Sequence, residues 1–354
     1  MPLFVDSGRL GSTVELDATN CITIGLVNNM PDAALQATER QFVDLIRAAT
    51  PNAVVLLKLF AIPELPRGEG ARYAFDERYR DIAELWDTPL DGLIVTGAEP
   101  RAASLADEPY WDTLTRLVDW ARDNTASTIW SCLAAHAAVL HADGVARRAL
   151  KRKQCGVFAC RLAAEHPMTQ HFPQPLLVPH SRYNDLPEPA LASCGYRILT
   201  RSKQAGVDAF AKQDGSFFLF FQGHPEYAAD TLLREYRRDA ARYLCGERAH
   251  YPALPRRYFT AAAAALADTF RARALADRRA ELAAEFPKTA LEAGLQWPWR
   301  AAAVGMYEKW TAYLSARKAE RRSVVPVPGI RLRRTWRDWP RGIGQPRRRG
   351  HQAR

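Results

Sequence analysis

Between Ser127 and Leu140 the chain reads Ser-Thr-Ile-Trp-Ser-Cys-Leu-Ala-Ala-His-Ala-Ala-Val-Leu, a short apolar strand that runs straight into an Ala-rich helix with one cysteine, Cys132, at the corner. A strand that turns directly into a helix belongs to an α/β sheet whose loops gather at one edge. A cysteine at that corner sits at a helix N-terminus, where unsatisfied backbone N–H groups and the helix dipole favour a thiolate and can hold a developing oxyanion. Taken alone, Cys132 would more simply be a buried core thiol. A second stretch about ninety residues downstream argues against that: Ser216-Phe-Phe-Leu-Phe-Phe-Gln-Gly-His224-Pro-Glu226-Tyr227, an apolar strand ending in Gly and His-Pro-Glu. Pro225 biases His224 towards extended backbone, where residues two apart point the same way, so Glu226 can orient the imidazole. A carboxylate-held imidazole is what a cysteine nucleophile requires.

Around these two stretches the pattern alternates. Cys21–Val27, Ala53–Phe60, Asp91–Val95 and Thr128–Trp130 read as strands. Helices are expected over Ala34–Ala49, with Phe42, Leu45, Ile46 and Ala49 on one face, over Tyr79–Trp86 and over Pro109–Asp123. Continuously apolar strands separated by helices imply a mostly parallel sheet covered on both faces. Lys151–Leu162 reads as a further strand entering a less regular region around Val178–Tyr183. Tyr196–Thr200, Val207–Lys212 and the Phe-rich strand follow, then helices over Thr231–Tyr243, Phe259–Ala284 and Arg300–Lys318. The expected organisation is an N-terminal arm (1–20), a main domain (21–250), C-terminal helices packed on it as an addition (251–322) and a basic, disordered tail (323–354).

The formal charge of +10 on 354 residues is not spread evenly: from Arg331 to Arg354 there are nine Arg and one Asp, +8 net, which leaves about +2 elsewhere. The basicity therefore belongs to the tail. Its Arg residues with Trp336 and Trp339 are compatible with nucleic acid, but a solvated extension is the favoured reading. The six cysteines form no CxxC pair, so neither a disulfide framework nor a structural metal is expected. With no long apolar run and no charged-then-apolar leader, a cytoplasmic protein without membrane partners is expected.

Cys132, His224 and Glu226, together with Asp91-Gly-Leu-Ile-Val-Thr-Gly-Ala98, Pro179-His-Ser-Arg-Tyr183, Gly223-His-Pro-Glu-Tyr227 and Glu235-Tyr-Arg-Arg238-Asp239, make the chain resemble the homoserine O-acyltransferases of the MetA type, which share the class I glutamine amidotransferase fold. The resemblance runs from about Cys21 to Tyr243, and more faintly through Trp299-Arg300 to Leu314. It implies a Cys132-His224-Glu226 triad working by a ping-pong mechanism, with acyl-CoA as co-substrate, homoserine as acceptor and no bound cofactor. The Leu133 N–H and a donor near Gly97-Ala98 would hold the oxyanion, while Lys153, Ser181, Arg182 and Arg238 would serve the amino-acid substrate. At the position that helps choose the acyl group an ungapped count places Arg101, which favours succinyl-CoA over acetyl-CoA through its affinity for a free carboxylate. The chain departs from the family at Asp32, Ala159 and Cys160. A homodimer is compatible with this reading without being specified by it. A cysteine hydrolase or glutaminase-like enzyme on the same scaffold is the alternative.

Overall fold

A strand can be apolar at every position only if both of its faces are covered, and here they are. In the computed structural model, which describes residues 3–6, 21–68, 78–170, 172 and 174–323, alternate side chains of each central strand enter two different cores. Phe218 and Phe220 pack with Leu93, Val95 and Trp130 on one face. Phe217, Leu219 and Phe221 pack with Ile24, Leu26, Ile94 and Ile129 on the other.

The described strands are β1 (Leu3–Asp6), β2 (Ile22–Val27), β3 (Val55–Ala61), β4 (Arg80–Asp81), β5 (Gly92–Val95), β6 (Ser127–Ser131), β7 (Arg148–Leu162), β8 (Leu176–Asp185), β9 (Arg197–Ser202), β10 (Gly206–Asp214) and β11 (Ser216–Phe221). They lie in the order β1-β3-β2-β5-β6-β11-β10-β9-β7-β8, with β4 beside β3. From β1 to β11 the neighbours run parallel, and from β11 onward they run antiparallel. The sheet is therefore parallel where the corner cysteine sits. Val178–Tyr183, expected to be irregular, lies inside β8: it pairs with β7, register Cys155↔Ser181, and its alternation was masked by Pro179 and Arg182.

The helices are α1 (Asp32–Ala49), α2 (Ile82–Leu85), α3 (Trp111–Asn124), α4 (Leu133–Asp143), α5 (Glu188–Ser193), α6 (Thr231–Leu244), α7 (Ala261–Ala276), α8 (Lys288–Glu292) and α9 (Arg300–Ser323). α3 and α4 cover one face of the sheet, while α1 and α9 cover the other. α4 is buried from Leu133 to Val139 on every side, as its lack of any polar stripe requires. The long helix expected over Phe259–Ala284 stops at Ala276, and a 3-10 turn, Ala280–Glu285, follows it. α9 forms a layer of the main sheet: a Cβ on Gly92 in β5 would lie 2.6 Å from a methyl of Leu314 and 3.0 Å from the Trp310 ring. No described helix is long and apolar enough to cross a membrane. The expected basic tail lies outside the described residues, apart from Ser323 at the end of α9.

Two consequences are measurable. Trp310 is fully buried, and its indole N–H donates to Ser127 Oγ at 2.9 Å. Trp310→Ala should lower unfolding free energy by about 3–5 kcal/mol in a urea titration, the range for truncating a buried aromatic; a near-neutral result would make α9 a detachable addition. His136, inside α4, has its pKa pushed down to about 3, chiefly by burial and next by the charge of Arg182, against an opposing hydrogen bond that its ring donates to Gln222 Oε1. Its folded value lies below its unfolded one, so its contribution to stability is complete above the unfolded pKa and drains away as the pH falls towards about 3. The slope for one such group is about 1.4 kcal/mol per pH unit. His136→Gln should flatten stability against pH between neutrality and mild acid, read as urea midpoints at two pH values.

Candidate active site

Strand register builds the site. β5, β6 and β11 lie side by side and parallel, with Val95 opposite Trp130 and Ser131 opposite Phe221. The residues that follow them, Thr96-Gly97, Cys132 and Gln222-Gly223-His224, therefore leave the sheet at the same edge. The Cys132 N–H donates to Phe221 O at 2.7 Å, which locks the corner to the neighbouring strand.

Cys132 has φ 53° and ψ −113°, a conformation few side-chain-bearing residues adopt. The strain is held by the strand on one side and by α4 on the other, and it lifts the thiol to the start of that helix. The first helical amide, Leu133 N–H, is among those with no acceptor inside the helix. Gly97 lies directly against it: a Cβ there would come within 3.0 Å of Leu133 N and 3.5 Å of Cys132 Cβ. Only a residue without a side chain leaves room in front of that amide, and Ala98 next to it packs on the same core.

The Gly223-His-Pro-Glu-Tyr227 segment is buried, and it turns sharply where extended backbone was expected: Tyr227 N–H donates to His224 O at 3.1 Å. The turn still brings the two side chains together, His224 Nδ1 and Glu226 Oε1 being 2.8 Å apart. Nε2 has no hydrogen-bond partner among the described residues, and the Cys132 thiol is near enough to act on its protonation. Burial disfavours the imidazolium, yet the charges of Glu226 and Cys132, with the hydrogen bond to Glu226, hold the His224 pKa well above its ordinary value. The Tyr227 ring stacks on His224 at 4.2 Å. The Tyr227 carbonyl accepts from two indoles, Trp297 at 2.9 Å and Trp299 at 2.7 Å, so the C-terminal region fixes the turn.

Beyond Tyr227 lies an ionic cluster. The Tyr227 hydroxyl donates to Glu235 Oε1 at 2.6 Å, while Glu235 Oε2 takes the Ser181 hydroxyl and Lys153 Nζ. Burial opposes ionisation of Glu235, but Lys153, these hydroxyls and Arg238 hold its carboxyl below the usual range. Lys153 also pairs with buried Asp239 at 2.9 Å, and Arg238 reaches the other oxygen of Asp239 at 3.1 Å while staying partly exposed. Lys153, Ser181 and Arg238 are thus gathered around two acids that were named in the sequence only as part of a motif. The signal for them was the spacing of Glu235 and Asp239, i and i+4 on one face of α6.

Two other expected residues lie elsewhere. Arg182 alternates with Ser181 along β8 and so points the opposite way; it is buried, and its donors are taken by Asp185, Asn184 O, Ala205 O and His180. It braces the sheet. Arg101 is exposed, and what anchors it is its backbone, whose N–H donates to Glu108 Oε1 at 2.6 Å. Among the described residues Cys160, His180 and Asp208 bring three ligand atoms within 4.8 Å, in a fully buried spot. His180 Nε2 lies 3.3 Å from Asp208 Oδ1 without a well-formed hydrogen bond, and its Nδ1 accepts from Arg182.

A thiol raised on a strained strand-to-helix turn, a carboxylate-held imidazole beside it and an unobstructed helix amide are the parts needed for acyl transfer through a cysteine thioester. The family model for homoserine O-succinyltransferase matches residues 12–321. The homoserine O-succinyltransferase of Rhodopseudomonas palustris is 51% identical over 84% of this chain and 90% of its own, and that of Methylorubrum extorquens is 48% identical over 84% and 88%. A solved glutamine amidotransferase from Methylobacillus flagellatus matches 83% of this chain and 95% of its own at 16% identity, with a TM-score of 0.47. Matched along most of its length by that family model and by relatives about half identical to it, the chain is an acyltransferase belonging to the homoserine O-succinyltransferase family.

Proposed function

We propose that the protein transfers the succinyl group of succinyl-CoA to the side-chain hydroxyl of homoserine by way of a thioester on Cys132, a step of methionine biosynthesis in the cytoplasm. The observation that carries this reading is Tyr227, which stacks on the triad imidazole with its ring and bonds with its hydroxyl to the ionic cluster. One side chain thus joins the chemistry to a place fitted for a small zwitterion. The names of the relatives support succinyl over acetyl as the group transferred.

In the first half-reaction the Cys132 thiolate attacks the thioester carbonyl. The developing oxyanion takes the Leu133 N–H, with a second donor from the Gly97-Ala98 segment, and His224 protonates the departing CoA sulfur. In the second, His224 takes the proton of the homoserine hydroxyl as its oxygen attacks the enzyme thioester, and Cys132 leaves as thiolate. Glu226 keeps the imidazole in one tautomer and stabilises it when charged. Arg238, partly exposed and planar, meets the carboxylate of homoserine, while Lys153 and Ser181 shape the same pocket. Neither half-reaction calls on a resident cofactor. Water as acceptor would leave this ionic pocket without a purpose, which disfavours the hydrolase reading.

Intact-mass spectrometry after mixing with succinyl-CoA, with and without homoserine, tests the reading. A succinyl adduct on Cys132 that disappears when homoserine is added is the expected result; an adduct discharged equally fast by water alone would sink it. Cys132→Ala should abolish the adduct while leaving thermal unfolding near wild type. His224→Ala should slow turnover about 10²–10⁴-fold. Glu226→Gln should lower kcat and leave the KM for homoserine nearly unchanged, and a loss of folding in its place would make that carboxylate structural.

A further inference from the structure

The hydroxyl of Thr96, just past the end of β5, joins two loops at the sheet edge where the thiol stands. Thr96 and Asn29 are both nearly fully buried. Asn29 follows β2, the neighbour of β5 on one side, while Cys132 follows β6, its neighbour on the other. The Asn29 backbone N–H donates to Thr96 Oγ1 at 2.8 Å, and its side-chain Nδ2 donates to Thr96 O at 3.1 Å. Asn29 is itself moored, since the Asn28 N–H donates to Phe60 O at 2.9 Å and Asn28 Nδ2 to Leu35 O at 3.0 Å. The Thr96 hydroxyl donates in turn to Gly97 O, 3.1 Å away. A hydroxyl has one proton to give, so with that bond made its donor role is filled. Gly97 O is thereby held on the β2 side of the strand. The 97–98 peptide is trans, and in a trans peptide the N–H lies opposite the C=O, so the Ala98 N–H is turned to the β6 side. On that side Gly97 lies against the corner: a Cβ on it would come within 3.0 Å of Leu133 N and 3.5 Å of Cys132 Cβ. Neither the Ala98 N–H nor the Leu133 N–H has a hydrogen-bond partner among the described residues. Two unpaired amides from different loops thus stand beside the thiol.

We propose that Thr96 is a positioning residue for both half-reactions: its hydroxyl, pinned by the Asn29 N–H, keeps the 97–98 peptide turned so that the Ala98 N–H joins the Leu133 N–H on the developing oxyanion. This rests on the acyl-transfer reading above and names the group that orients its second donor. Without the hydroxyl, Gly97 O loses its partner, and a peptide next to glycine rotates with little steric resistance. A rotated peptide aims a carbonyl oxygen at the place where negative charge forms, which replaces attraction by repulsion. Asn29 Nδ2 still holds Thr96 O, so the strand end stays in place and only the 97–98 peptide is freed. The thioester carbonyl oxygen becomes negative both when Cys132 is acylated and when homoserine takes the acyl group. The effect therefore falls on both steps alike and leaves ground-state binding of either substrate untouched.

The competing role for this hydroxyl is to satisfy a buried amide, which shows in stability and leaves the rate per folded molecule alone. Intact mass would follow succinyl thioester formation on Cys132, and then its discharge by homoserine, in wild type, Thr96→Val, Thr96→Ala and Thr96→Ser, with thermal unfolding recorded for each. The amplitude of the adduct counts the folded molecules, so the rate constants refer to those alone. The expected result in Thr96→Val and Thr96→Ala is a fall of about ten- to a hundredfold in both rate constants, by a similar factor. The KM for homoserine should stay unchanged, and Thr96→Ser should recover most of the rate. A reduced amplitude at wild-type rate constants would overturn the proposal, as would a loss confined to one half-reaction or a Thr96→Ser as slow as Thr96→Val. If neither Thr96→Val nor Thr96→Ala folds, the hydroxyl is structural and the proposal falls. A wild-type protein that forms no succinyl thioester would refute the acyl-transfer reading itself, an outcome distinct from these.

Discussion

The parallel pairing of β6 with β11 is the constraint on which the site depends. Ser131 and Phe221 are register partners, and the amide of Cys132 closes the pairing on Phe221 O. One strand therefore ends at Cys132 and its neighbour leads into His224, although about ninety residues separate them in the chain. A one-residue slip would turn Phe217, Leu219 and Phe221 out of one core into the other, so the packing of five consecutive apolar residues also fixes the distance between thiol and imidazole.

Strain and vacancy complete the geometry. Cys132 is held in an unfavourable conformation because both of its neighbours are committed, Ser131 to the sheet and Leu133 to the helix. Such strain persists only where the surroundings over-determine it, and here they include a fully buried helix and a strand in the middle of the sheet. Gly97 supplies the vacancy: its lack of a side chain keeps clear the Leu133 amide at the start of the helix.

Strong periodicity made the parallel half of the fold readable in the sequence. Ile22–Val27, Gly92–Val95 and the Phe-rich strand are apolar but for Thr23 and Ser216, and such a run between helical patterns has few other readings. The antiparallel half was harder. β8 carries Pro179, His180 and Arg182 within a ten-residue strand, and those residues read as a loop because their burial depends on partners supplied by Asp208, Asp185 and Gln222. The pairing of His224 with Glu226 was readable for a local reason, since they are two residues apart, and Cys132 marks its own corner. Arg182 shows the opposite case, where its neighbour in a motif, Ser181, reaches the site and the strand's alternation turns Arg182 away.

The bond from Trp310 to Ser127 joins the last described helix to the strand that carries the nucleophile. It also sets an order of events during synthesis. When Cys132 leaves the ribosome, the sheet has neither β11 beside β6 nor α9 over its face, and the indoles that fix the Tyr227 turn lie more than 160 residues further along the chain. A nascent chain therefore holds the Cys132 thiol for about ninety residues of synthesis before His224 exists, and longer before the indoles that fix the turn behind it are made.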